Sequence, residues 1–136
     1  MKTPRILIFE TKSYSQKFVV ELVNKLGGNP LATDDIGNFQ AILSSGNFDI
    51  LIIDFPRGGR VEDSISINLS SYYVIATTAD EELSFDELKK KVSATDLLLK
   101  PISYAKFKQV IDAAISSRRL WVTIQFVRVS HANLFE

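Results

Sequence analysis

Short apolar runs punctuate the chain, and between them apolar residues recur at helical spacing. RILIFE, Arg5 to Glu10, is compact and rich in β-branched residues, which predicts a buried strand. After it Phe18, Val19, Leu22, Val23 and Leu26 recur at helical spacing, and Gly27-Gly28 supplies a stop. A short second strand is predicted around Leu31–Thr33. A second helix follows over Ile36–Ser45, with Phe39, Ile42 and Leu43 on one face and Gly46 at its end. FDILIIDF, Phe48 to Phe55, is apolar on both faces, as a central parallel strand is.

PRGGR then reads as a loop, and Val61–Leu69 as a short, weak helix. YYVIATTA, Tyr72 to Ala79, is the fourth strand. SFDELKKKV is a helix, with Ser84 as N-cap and Glu87 completing a capping box. DLLLKP, Asp96 to Pro101, is the fifth strand, stopped by the proline. A long final helix runs over residues 103–119. Ser103 caps it, Phe107, Val110, Ile111 and Ala114 form its apolar face, and Arg118 and Arg119 suit its C-terminal end.

This alternation predicts an α/β fold, a parallel five-stranded sheet with helices on both faces. Such sheets bind ligands beyond the carboxyl ends of their strands. Glu10, Asp54, Thr77, Thr78 and Lys100 all fall at those ends, so polar groups from separate segments converge on one sheet edge.

Composition narrows the chemistry. The 136 residues suit one domain, and 46% are hydrophobic, enough for a core without staples. There is no cysteine, which excludes disulfides, thiol nucleophiles and cysteine-based zinc sites. Sixteen basic residues balance sixteen acidic ones, so no overall pull towards nucleic acid or anionic lipid is expected. No apolar run approaches the roughly 20 residues that span a bilayer, and MKTPR shows no signal-peptide pattern. A cytoplasmic domain is expected.

Glu10 and Asp54 could share Mg²⁺, which takes one or two carboxylates plus waters. A carboxylate can also attack a phosphoryl group, with Lys100 and a threonine hydroxyl holding the phosphoryl oxygens. The plainer alternative is a structural ion pair between Lys100 and Asp54.

Those residues also resemble a known family. Over residues 4–119 their order is similar to the receiver domain of two-component signalling, the CheY-like, (βα)5 flavodoxin-like three-layer sandwich. ILIFET places Glu10 and Thr11 at the family's acidic pair, and LIIDF places Asp54 at the phospho-accepting position. IATTA places Thr78, followed by Ala79, at the switch hydroxyl, and DLLLKP places Lys100 at the invariant lysine. The resemblance implies that Asp54 takes phosphate from a phosphohistidine donor and that Glu10 and Asp54 hold Mg²⁺. It also implies that Thr78 and Lys100 meet the phosphoryl group, and that the domain is not an enzyme with its own substrate.

Three positions depart from the family. Thr11 replaces the acid that touches the metal directly. Pro56 comes two residues after Asp54 rather than four, with Arg57 and Arg60 beside it. Leu97 stands where the family often has an aromatic rotamer switch. These departures imply a degenerate pseudo-receiver, as found in hybrid sensor histidine kinases, with Mg²⁺ weakly bound or absent and phosphorylation of Asp54 impaired or absent. A functional receiver accepting phosphate on Asp54 with Mg²⁺ is the alternative. An unrelated flavodoxin-like ligand binder is another, although FETKSY lacks the glycines of a phosphate loop.

The expected partner is a histidine kinase or another signalling domain, with a homodimer also open. Nucleic acid and membrane insertion are not expected. The three consecutive lysines of SFDELKKKV read as a solvated helix face. Residues 120–136 form an extension or linker beyond the 1–119 domain. LWVTIQFVRV within it is apolar enough to need a covering surface, and its neighbour His131 reads as solvent-exposed.

Overall fold

The computed structural model describes residues 3–58 and 68–117. The elements are β1 (Arg5–Phe9), α1 (Ser13–Lys25), β2 (Asn29–Thr33), α2 (Ile36–Ser45), β3 (Ile50–Phe55), β4 (Tyr73–Thr78), α3 (Phe85–Val92) and β5 (Asp96–Leu99). A final helix, α4, covers 104–117. The strands form a five-stranded sheet in the order β2-β1-β3-β4-β5, and each neighbouring pair is parallel. This is the expected three-layer flavodoxin-like arrangement.

Alternation along the strands divides the core in two. Ile6, Ile8, Ile50, Ile52, Ile75 and Leu98 face α1 and α4, meeting Val19, Leu22 and Val23 of the first and Phe107, Val110, Ile111 and Ala114 of the second. Leu7, Phe9, Leu51, Ile53, Phe55, Val74 and Ala76 face α2 and α3, meeting Phe39, Leu43, Leu88 and Val92. Every residue of β3 is buried. Burying each large apolar side chain contributes about 1.5–3 kcal/mol, so β3 is a rigid mount for whatever its tip carries.

Local signals set the helix ends. α1 closes with Gly27 at φ +86°. The Gly28 N–H donates to Val23 O at 2.9 Å and the Gly27 N–H to Asn24 O at 3.1 Å, so both glycines satisfy orphan carbonyls. Gly46 ends α2 by close packing, because a Cβ there would lie 2.6 Å from the Phe48 ring. The Ser84 hydroxyl accepts from the Glu87 N–H at 3.4 Å, and the Ser103 hydroxyl from the Lys106 N–H at 3.2 Å, as expected of both caps. Lys89, Lys90 and Lys91 lie on an exposed face.

Some expectations are adjusted. The second strand is longer than predicted, reaching back to Asn29. Phe18 lies at the rim of the α1 stripe rather than in the core and is 37% exposed. Residues 61–67 of the predicted weak helix lie outside the described residues; Asn68 and Leu69 are described and are not helical. Arg60, Arg118, Arg119, His131 and the whole 120–136 extension also lie outside them. At the β2 edge, the Asn29 N–H donates towards β1, to Pro4 O at 2.9 Å. By alternation the next residue, Pro30, turns its missing N–H to the side away from β1, which no strand covers among the described residues. No helix among the described residues is long and apolar enough to cross a membrane.

Candidate functional site

The polar residues predicted at the strand ends do converge. Asp54 occupies the penultimate position of β3, in register with Thr77 of β4. Glu10 follows β1, with its N–H donating to Thr33 O at 3.1 Å and its carbonyl accepting from the Gln16 side chain at 3.0 Å. Lys100 follows β5, held by its N–H donating to Thr78 O at 2.7 Å. The Lys100–Pro101 peptide is cis.

Lys100 Nζ bridges the two acids, 2.5 Å from Glu10 Oε1 and 2.9 Å from Asp54 Oδ1. Glu10, Asp54, Thr77 and Thr78 are all buried. The Lys100 side chain is 16% exposed and forms part of the wall of a 420 Å³ cavity shared with Lys12, Tyr14, Phe18 and Ile102. The lysine is therefore the edge of the cluster that solvent can reach.

Electrostatics act on both Glu10 and Lys100. Burial raises the Glu10 carboxyl above its ordinary range; Lys100 opposes this and Asp54 reinforces it. Burial alone would lower the Lys100 ammonium, but hydrogen bonds and charge from Asp54 and Glu10 outweigh it, and the lysine titrates above its ordinary value. Two carboxylates compete for one cation. Consistently, Glu10 Oε2 is buried without a hydrogen-bond partner among the described residues.

The two threonines part company. The Thr77 hydroxyl donates to Asp54 Oδ1 at 3.1 Å. The Thr78 hydroxyl, which the resemblance implies meets the phosphoryl group, here donates to Phe55 O at 2.7 Å and accepts from the Asp80 N–H at 3.0 Å. Alternation explains the difference. Thr77 lies two residues beyond Ile75, as Asp54 lies two beyond Ile52, Glu10 two beyond Ile8 and Lys100 two beyond Leu98. Thr78 continues the opposite face, after Val74 and Ala76. That shared parity is written in the sequence and would have singled out Thr77.

Arg57 does not reach Asp54. Its guanidinium Nη2 donates to Ala79 O at 2.9 Å, while the Gly58 N–H reaches Asp80 Oδ2 at 3.4 Å. With the Thr78 bonds, these contacts clasp the loop after β3 to the loop after β4. Leu97 packs partly buried against the α2/α3 side of the core.

As a metal centre the donor set is thin. Thr11, at the position of the family's second acid, is exposed. Among the described residues no three acidic or histidine side chains gather to hold a cation. Glu10 and Asp54, the two carboxylates that would hold a Mg²⁺ ion, already share an ammonium, so a cation there would compete with Lys100.

Comparison with solved structures places this fold among receiver domains. The signal receiver domain of a putative LuxO repressor protein from Vibrio parahaemolyticus superposes with a TM-score of 0.77 at 19% identity, covering 90% of this chain and 98% of that one. That of an HD domain-containing protein from Pseudomonas fluorescens gives 0.74 at 17%, covering 87% and 98%. A response regulator receiver domain protein from Clostridium thermocellum gives 0.71 at 20%, covering 87% and 98%. No family model and no curated protein matches the sequence. The chain has the CheY-like receiver fold.

Proposed function

We propose that this chain is a receiver-type module of two-component signalling that acts by docking a partner protein, with phosphorylation of Asp54 impaired or absent. The observation that carries the reading is the Glu10–Lys100–Asp54 cluster beside an uncharged, exposed Thr11. Phosphoryl transfer to a carboxylate brings anionic oxygens together and relies on a divalent cation to neutralise them. Here the neutralising charge is already the lysine, and the second acid that would recruit the cation is missing. The fold keeps its surfaces while the metal pocket is weakened.

In this reading the partner is a histidine kinase or another signalling domain, the setting is the cytoplasm, and the module turns over no substrate of its own. A homodimer is compatible with it.

The test is incubation with acetyl phosphate and Mg²⁺ followed by intact-mass measurement. The expected result is no gain of a phosphoryl group, and no amide shifts around Asp54 on adding Mg²⁺ with beryllofluoride. A gain that disappears in Asp54→Asn would instead establish a working phospho-acceptor. That second reading is favoured by one observation, the retained Asp54–Lys100 contact at 2.9 Å.

A further inference from the structure

We infer that Thr77 is a positioning residue that blocks Asp54 as a phospho-acceptor, by occupying the carboxylate oxygen a divalent cation would need. The inference rests on the receiver reading above and supplies a cause for the impaired acceptor beyond Thr11. A carboxylate oxygen offers two lone pairs. Asp54 Oδ1 accepts from Lys100 Nζ at 2.9 Å and from Thr77 Oγ1 at 3.1 Å, so both are in use. All free accepting capacity of Asp54 therefore lies on Oδ2.

Phosphorylation demands more than that. The attacking oxygen forms a bond to phosphorus as the bond from phosphorus to acetate oxygen breaks, and acetate leaves with that electron pair. A cation assisting this step would be held by the acceptor carboxylate and would neutralise charge on the phosphoryl oxygens. One carboxylate oxygen would serve the cation while the other attacks phosphorus. With Oδ1 filled, both duties fall on Oδ2, and the two geometries conflict.

The hydroxyl is well placed to hold this state. Thr77 is buried, and the β3–β4 register fixes it directly beside Asp54. It has little freedom to swing away. Its bond is to the same carboxylate oxygen that meets the Lys100 ammonium. Lys100, the other donor to Oδ1, is held at the same time by Glu10 Oε1.

Two variants separate the hydroxyl from the space it fills. Thr77→Val removes the donor at similar volume, and Thr77→Ser keeps it. Folding of each is checked by the amide spectrum. Mg²⁺ binding is read from chemical shifts near Asp54, and acceptor competence from the mass gain with acetyl phosphate. Thr77→Val is expected to bind Mg²⁺ roughly tenfold more tightly than the parent and to gain more acyl phosphate, with Thr77→Ser unchanged. Equal or weaker Mg²⁺ binding in Thr77→Val, or a gain shared by Thr77→Ser, overturns the inference. The parent's own behaviour tests the receiver reading separately: a parent that accepts phosphate sinks that reading, while the ratio between variants still decides the role of Thr77.

Discussion

Thr77 and Thr78 are neighbours in β4, yet they serve opposite sides of the sheet. Thr77 continues the face that carries Glu10, Asp54 and Lys100, and its hydroxyl joins a cluster of charges. Thr78 continues the face packed by α2 and α3, and its hydroxyl joins backbone groups of two loops. One side is electrostatic and tuned by who shares a proton or a cation. The other is a mechanical clasp, built from Phe55 O, the Asp80 N–H and the Arg57 bond to Ala79 O. Identical chemistry one residue apart thus acquires different work from strand alternation alone.

The comparison breaks most severely if the cation is removed. Lys100→Met leaves two buried carboxylates facing each other and is expected to cost about 3 kcal/mol, read as a lower denaturant midpoint. Adding Glu10→Gln to it should recover part of that loss. The pH response follows from the same cluster. The folded pKa of Lys100 is raised, so its contribution is fully present below its unfolded value and is lost as pH rises through the folded one. Glu10 is also raised, so its ionisation costs the fold: the protonated form favours folding, and that advantage is lost as pH rises through its folded pKa. Carboxyl NMR titration should find Glu10 deprotonating above the ordinary value of 4.5, and a fit at or below that value contradicts the account.

A smaller effect tests the clasp. Thr78→Val leaves the Asp80 N–H without its acceptor and should cost about 2 kcal/mol. The same measurement on Thr77→Val should show a smaller loss, because Lys100 still serves Asp54. Equal losses would mean that the two faces are not distinct in energy. The smallest change belongs to Arg57→Ala. Its guanidinium is exposed, and the thermal midpoint should correspond to less than about 0.5 kcal/mol. Its visible effect would be local, in the amide shifts of Gly58, Ala79 and Asp80.

The fold was legible because apolar runs and helical stripes differ in period, and because the signals at Gly27-Gly28, Ser84 and Ser103 act locally. Phe18 shows where that reading stops. A stripe predicts a face but not its rim, which depends on how far the neighbouring elements extend. The convergence of Glu10, Asp54 and Lys100 was legible from their positions after apolar runs. The resemblance singled out Thr78, because a motif matches order along the chain while the sheet sorts by parity. Counting in twos from Ile52 and Ile75 adds Thr77 to the face of Asp54. Hydrogen-bond saturation at Oδ1 was beyond reach, because it depends on three side chains far apart in sequence meeting within about 3 Å.

Pro30 has a meaning for the molecule in a crowd. An open sheet edge is a template on which a foreign strand can polymerise. At β2 the outward row of donors is interrupted at Pro30, so a strand arriving there finds a gap in its ladder. On the reading proposed above, the chain meets partners through its helices and loops. At the outward side of β2 its backbone offers an arriving strand one donor fewer.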